Sequence, residues 1–100
     1  MPKILIEKET SVSANDAFEK IKTLLSDDRD LRKLDSGYQC QFDAAARKGT
    51  AKGKQFTATM LVHEGPKTKV ELTIELPLML TPFKGMVENT LRGKLEKILA

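Results

Sequence analysis

The last third of the sequence changes from one hydrophobic period to another, and this change limits the folds open to the chain. Over residues 70–76 apolar and polar residues alternate, which predicts a strand with one buried face. Pro77 cannot donate a hydrogen bond to a sheet, so the strand is predicted to end near it. After a short apolar bend, Thr81 is predicted to cap a helix that has Pro82 at its first position. The helix is predicted to run to the end of the sequence with an apolar stripe at spacings of three and four: Phe83, Met86, Val87, Thr90, Leu91, Lys94 through its stem, Leu95 and Ile98.

We expect the apolar rows of this strand and this helix to form the main core. Gly85 and Gly93 lie within the predicted helix, where a glycine costs about 1 kcal/mol relative to alanine. Close packing of another element and simple tolerance explain these glycines equally well. The expected core contacts join Val70, Leu72, Ile74 and Leu76 to Phe83, Val87, Leu91 and Leu95.

Length and composition indicate one globular domain over residues 1–100, with a hydrophobic fraction of 40% and a net charge of +3. This charge permits an anionic partner without requiring one. The single cysteine, Cys40, excludes an internal disulfide and a cysteine-based zinc site within one chain, and we expect a reducing cytoplasm. The first seven residues contain a short apolar run broken by an acid, which predicts neither a signal peptide nor a membrane span.

The first third of the chain has clear local patterns. Ile4 and Ile6 share one face of a predicted first strand. Ser13, with Asp16 three residues later, forms a capping box at the start of a helix. This helix is predicted to end near Asp28, where acidic residues oppose the helix dipole. Its buried side is predicted to comprise Ala14, Ala17, Phe18, Ile21, Leu24 and Leu25.

A second strand is predicted over residues 38–42 and a third over residues 56–62, because apolar and polar residues alternate in both. If the third strand continued backwards with the same parity, Lys52 and Lys54 would be buried. We therefore expect a bulge or break near Gly53 and a third strand that is long and bent.

The predicted order of elements is β-α-β-β-β-α, and the structure of segment 43–55 is left open. Short turns between consecutive strands imply antiparallel pairing, and their polar alternate faces imply that only one side is covered. The sequence therefore predicts an α+β fold in which a curved antiparallel sheet of four or five strands carries two helices on one face.

No constellation of titratable residues indicates catalysis. His63 is the only histidine, and no triad or nucleophile elbow accompanies it. Cys40 alternates with aromatic residues and is expected to be a small core residue. Asp27, Asp28 and Asp30 lack the spacing of a calcium loop and are expected to form a solvated helix end. The sequence thus predicts no catalytic residue, no metal site, no cofactor and no enzymatic activity.

Four basic residues, Arg47, Lys48, Lys52 and Lys54, lie in a stretch with no acid from residue 44 to residue 63; we call them the basic strip. Such a strip could meet phosphates or another anionic surface. Clustered lysines also protect sheet edges, and a solvated edge is the expected role. Phe56 is the one possible stacking platform and no RNA-binding signature is visible, which disfavours nucleic acid as a partner.

Residues 76–85, with the sequence LPLMLTPFKG, and the helix that ends at residues 95–99 resemble the polyhydroxyalkanoic acid system family of small bacterial proteins. The likeness covers nearly the whole chain, including the first strand and the helix capped by Ser13. The element order also resembles a shortened helix-grip (SRPBCC-like) domain, in which a long C-terminal helix lies across a curved sheet and apolar ligands bind between them. Because several strands of that larger fold are missing here, a roomy cavity is not expected.

The resemblance implies a cytoplasmic, non-enzymatic accessory protein of polyhydroxyalkanoate storage, acting by granule association or by regulation of the pathway. Its implied partner is a granule or a granule-associated protein. Leu78, Met79 and Leu80 are the candidate apolar contact, although plugging the end of the sheet is the favoured role for all three. Two alternatives remain open: a small helix-grip-like domain that binds or acts on an apolar ligand, and a weak anion or nucleic-acid binder that uses the basic strip. The sequence leaves the oligomeric state open.

Overall fold

The computed structural model describes residues 3–100, and for Leu34 the backbone alone. Five strands form one antiparallel sheet, which confirms the predicted α+β class with the higher of the two expected strand counts. In chain order the elements are β1 (Lys3–Thr10), α1 (Ala14–Asp27), α2 (Arg29–Leu34), β2 (Gln39–Asp43), β3 (Lys48–Lys52), β4 (Thr57–His63), β5 (Thr68–Glu75), a 3-10 helix (Leu78–Phe83) and α3 (Lys84–Ile98). The order of strands across the sheet is β1-β5-β4-β3-β2.

One face of the sheet carries the core. Along β5 every second residue is buried, and the register places Leu72 between Ile6 of β1 and Met60 of β4. The opposite face carries charged and hydroxyl side chains, including the ion pair between Lys3 and Glu75. This separation confirms the prediction of a sheet covered on one side. The strand residues of the core are Ile4, Ile6, Ala51, Ala58, Met60, Val62, Val70, Leu72 and Ile74.

Helix α1 begins and ends where the sequence predicts. The Ser13 hydroxyl accepts a hydrogen bond from the Asp16 amide at 3.2 Å, and the helix ends at Asp27. Asp28 then caps α2, because its carboxylate accepts a hydrogen bond from the Leu31 amide at 3.0 Å. Asp28 is buried, so the expectation that it belongs to a solvated helix end is wrong. A sequence pattern does not reveal this role, since the partner that makes burial possible is Lys94 on α3.

The segment before β4 forms a hairpin and not one long, bent strand. Strands β3 and β4 pair with each other, and the Gly53 amide donates to the Phe56 carbonyl at 3.0 Å within the turn between them. The predicted break near Gly53 therefore marks a reversal of direction. Lys52 lies on the exposed side of β3, so no lysine needs to be buried. The alternation of residues does not reveal β3 as a separate strand, because the buried positions of β3 are Gly49 and Ala51. These two small residues give a weak hydrophobic signal.

The Asp35 carboxylate, which lies well before this turn in the sequence, holds the turn in place by direct hydrogen bonding. It accepts hydrogen bonds from the Gln55 amide at 2.8 Å and from the Gly37 amide at 3.2 Å. A β-carbon added at Gly53 would lie 2.0 Å from an oxygen of that carboxylate. Glycine at position 53 thus allows the close approach of Asp35 to the hairpin.

A pH dependence follows from these hydrogen bonds, which lower the pKa of Asp35, the bond from Gln55 most of all. A lowered pKa in the folded state adds stability that is complete above the unfolded value of about 3.9 and is lost as the pH falls through the folded value. We expect the free energy of unfolding of wild type to exceed that of Asp35→Asn by a constant amount above about pH 5 and by less below about pH 4. Urea titrations at several pH values measure this difference. If the difference in unfolding free energy between wild type and Asp35→Asn stays constant in acid, the prediction is contradicted.

The C-terminal region differs from its predicted form. Thr81 and Pro82 lie inside the 3-10 helix, where the Thr81 hydroxyl donates to the Leu78 carbonyl at 2.7 Å, so Thr81 does not cap α3. Leu91 and Leu95 are buried as predicted, and Val87 is half-buried against the same core, whereas Phe83 is exposed. Helix α3 therefore packs through its C-terminal half and leaves part of its predicted stripe uncovered. Across residues 3–100, no helix has the length and apolar character that crossing a membrane requires.

Candidate functional site

A groove between α2 and the N-terminal half of α3 is the main candidate site. Its cavity volume is about 370 Å³, near the lower end of the range for small-molecule pockets. Leu31 of α2 is a buried core residue and contributes one wall, while Met86 of α3 is exposed on the other. The lining is largely apolar, and it comprises Asp28, Asp30, Leu31, Lys33, Met86, Val87, Thr90 and Leu91.

An ion cluster borders this groove and joins α3 to the start of α2. The Lys94 ammonium donates to the Asp28 carboxylate and, at 2.7 Å, to that of Asp30. This second contact lowers the pKa of Asp30. Burial tends to lower the pKa of Lys94, but the hydrogen bonds to both aspartates outweigh it and raise the pKa. Lys94 thus acts through its charge, whereas the sequence predicted only that its stem would pack.

The apolar bend before α3 is exposed in large part. Leu78 and Met79 are 74% and 76% exposed, while Leu80 is half-buried and packs against the core. The favoured expectation that all three plug the end of the sheet therefore fails for Leu78 and Met79. They form, together with Phe83 at 48% and Met86 at 61% exposure, a set that we call the apolar rim.

The basic strip is not one uniform patch. Arg47 has a positive φ of 52° and its guanidinium donates to Asn15 and to Glu64, at 3.1 Å and 3.0 Å. Lys48 and Lys52 lie on the outer face of β3, while Lys54 lies in the following turn. One of the four residues is thus engaged within the fold, and the solvated-edge interpretation stays a prediction for the three lysines.

The remaining residues considered for chemistry lie apart from the groove lining. His63 is exposed at the end of β4, and its Nε2 lies 3.3 Å from a Glu71 oxygen. Cys40 is half-buried and packs against the core; burial raises the pKa of its thiol. Among residues 3–100, no cluster of three or more His, Cys, Asp or Glu side chains has an arrangement that could hold a metal ion.

The groove was not predicted from the sequence. Two signals point toward it in retrospect: Asp28 stands three residues before Leu31 in the spacing of a helix cap, and Met86 belongs to the predicted apolar stripe but has no partner among the expected core contacts. Neither signal shows that α2 and α3 lie side by side. That proximity depends on the contact between Asp28 and Lys94, which are 66 residues apart.

Comparison with known proteins gives no family by sequence: no protein-family model matches the chain. Likewise, no curated protein matches it. The resemblance to the polyhydroxyalkanoic acid system family thus receives no support from either comparison.

Solved structures of similar fold do match. The di-domain ARO/CYC BexL from the BE-7585A biosynthetic pathway matches with a TM-score of 0.71 and 11% identity, over 99% of this chain and 45% of its own. The protein XoxI from Bacillus cereus matches with a TM-score of 0.63 and 14% identity, over 99% and 94% of the two chains. Ara h 8.0201 matches with a TM-score of 0.58 and 12% identity, over 97% and 94%. The chain spans less than half of the first of these proteins, and identities this low show the fold alone, which is a helix-grip-like α+β fold.

Proposed function

We propose that this protein binds a small apolar ligand in the groove between α2 and α3 and does so without catalysis. The observation that carries the proposal is the cavity of about 370 Å³ with largely apolar walls. Small-molecule sites are typically concave and apolar, with few polar groups that fix orientation. One protein of similar fold, the di-domain ARO/CYC BexL, comes from a biosynthetic pathway.

The hydrogen bonds made by the acidic groups beside the groove favour binding without catalysis. A general acid or base needs access to the proton that it transfers. Asp28 has its two oxygens engaged by the Leu31 amide and by Lys94, and Asp30 also accepts from Lys94. These carboxylates are thus committed to the fold. We place such a binding protein in the cytoplasm.

Filling the groove should abolish binding of an apolar dye. Thr90 is exposed and lines the cavity, so a Thr90→Trp side chain can occupy the space without disturbing the core. We expect the affinity for the uncharged dye Nile red, measured by fluorescence titration, to fall by at least about tenfold, or 1.4 kcal/mol. The control is Asn89→Trp, which adds the same side chain at the adjacent exposed position outside the lining. If Thr90→Trp binds the dye as wild type does, the groove is not the site.

A second candidate function is association with polyhydroxyalkanoate granules, or with a granule-associated protein, as the resemblance implies. The observation that favours it is the exposure of Leu78 and Met79, two large apolar side chains on adjacent positions. Exposed apolar patches commonly mark interaction surfaces.

Granule contact through the apolar rim has a direct test. We expect the double change Leu78→Ser and Met79→Ser to abolish co-sedimentation with polyester granules and to alter the thermal transition little, because surface changes usually cost within about 0.5 kcal/mol. Leu5→Ser is the control, since Leu5 is also exposed, at 53%, but on the outer face of the sheet. Sedimentation of the double variant at the wild-type level would refute the granule contact.

A further inference from the structure

The charges beside the groove bear on the kind of ligand that it can hold. Asp28, Asp30 and Lys33 line the cavity, and Lys94 reaches it through its contacts with both aspartates. Two negative and two positive formal charges therefore cancel at this end of the molecule. A groove with a net field of one sign would attract a counter-ion, and this groove has no such field from its nearest charges.

Three of these charged groups, Asp28, Asp30 and Lys94, are also engaged with one another. The two Asp28 oxygens accept from the Leu31 amide and from Lys94, and an Asp30 oxygen accepts from Lys94 at 2.7 Å. Lys33 lies close enough to Asp30 to act on its charge. Within residues 3–100, every buried side-chain nitrogen or oxygen has a hydrogen-bond partner. The groove therefore has no unpaired buried polar atom that could bind a charged group of a ligand.

We infer that the ligand is an uncharged apolar molecule whose polar groups are limited to a hydroxyl or a carbonyl. This inference rests on the proposed function of the groove. A ligand carboxylate would lie beside Asp28 and Asp30, and a ligand ammonium would compete with Lys94 for the same oxygens. Either charge would lose water, which is costly in an apolar site. Lys33 is exposed to solvent, so an ion pair between it and a ligand carboxylate would contribute little. The Thr90 hydroxyl can donate to or accept from a neutral polar group.

Three probes that share one alkyl chain test the inference: octanol, octanoate and octylammonium. Each is titrated into the folded protein below its micelle-forming concentration, with binding followed by amide chemical shifts of the groove residues. We expect octanol to bind at least about tenfold more tightly than either charged probe. Equal or tighter binding of octanoate or octylammonium in the groove would overturn the inference and leave the proposed function standing. Binding of none of the three would count against both.

A charge variant shows whether the ion cluster sets this preference. In Asp30→Asn the groove gains one net positive charge while Asp28 still holds Lys94. We expect the affinity for octanoate, relative to that for octanol, to be several-fold higher in this variant than in wild type. Glu96→Gln makes the same change in net charge at an exposed position of α3 outside the groove lining and should leave all three affinities unchanged. An unchanged octanoate affinity relative to that for octanol in Asp30→Asn would overturn the assignment of the preference to these charges.

Discussion

Replacing Leu91 with alanine should lower the free energy of unfolding by about 2–5 kcal/mol, the range measured for buried leucines. Leu91 is 2% exposed and belongs to the core cluster that includes Leu72 and Leu95. Truncation removes its apolar contacts and leaves a cavity where α3 meets the core. Since domains of this size are stable by about 5–15 kcal/mol, the loss is a large fraction of the total. Urea denaturation followed by circular dichroism measures it.

Met86→Ala on the same helix is the matched control. Met86 is 61% exposed, so its truncation should change the free energy of unfolding by no more than about 0.5 kcal/mol. The pair of variants tests whether α3 is buried at Leu91 and uncovered at Met86. If the two changes cost the same, the N-terminal half of α3 is covered in solution, and the groove is not open as described.

Gly53→Ala should lower the free energy of unfolding by about 0.5–3 kcal/mol, the range of most destabilising single substitutions. The added β-carbon would lie 2.0 Å from an Asp35 oxygen and 2.9 Å from the Tyr38 β-carbon, so the Asp35 carboxylate would have to move. Movement breaks its hydrogen bond from the Gln55 amide. The same denaturation experiment measures the cost.

The same substitution at Gly93, Gly93→Ala, should have the opposite effect on stability. Apart from the adjacent residues and the backbone of α3 itself, no atom lies within 4 Å of a β-carbon placed at Gly93, which is in the interior of α3. We expect a gain of about 0.8–1.0 kcal/mol, because alanine has the higher helix propensity. Of the two explanations for the helix glycines, the structure favours tolerance over close packing. Stabilisation by Gly53→Ala, or destabilisation by Gly93→Ala, would show that the described surroundings of these glycines are wrong.

Features set by neighbours in sequence could be predicted. The alternation along β5 and the Ser13 cap of α1 both depend on residues a few positions apart, and both are confirmed. The hairpin of β3 and β4 could not be predicted, because its turn depends on Asp35, which is 20 residues away from Gln55. Local patterns carry no information about such a distant partner.

The candidate site illustrates the same limit. Periodicity shows which side of α3 is apolar, but it does not show how far along the helix a neighbour covers that side. Leu91 and Leu95 are buried, whereas Phe83 and Met86 near the start of the helix are exposed. The exposure of Phe83 and Met86 could therefore not be predicted from the sequence.

The pairing of β1 has a consequence for synthesis of the chain on the ribosome. Strand β1 pairs within the sheet with β5 alone, so that Lys3 lies opposite Glu75 and Thr10 opposite Thr68. A nascent chain therefore exposes Ile4 and Ile6 until residues 68–75 have left the exit tunnel. Contacts this distant along the chain slow folding and prolong the exposure of unpaired strands. Ile4 and Ile6 are thus translated well before their partners in β5, and during that interval their apolar side chains are open to aggregation.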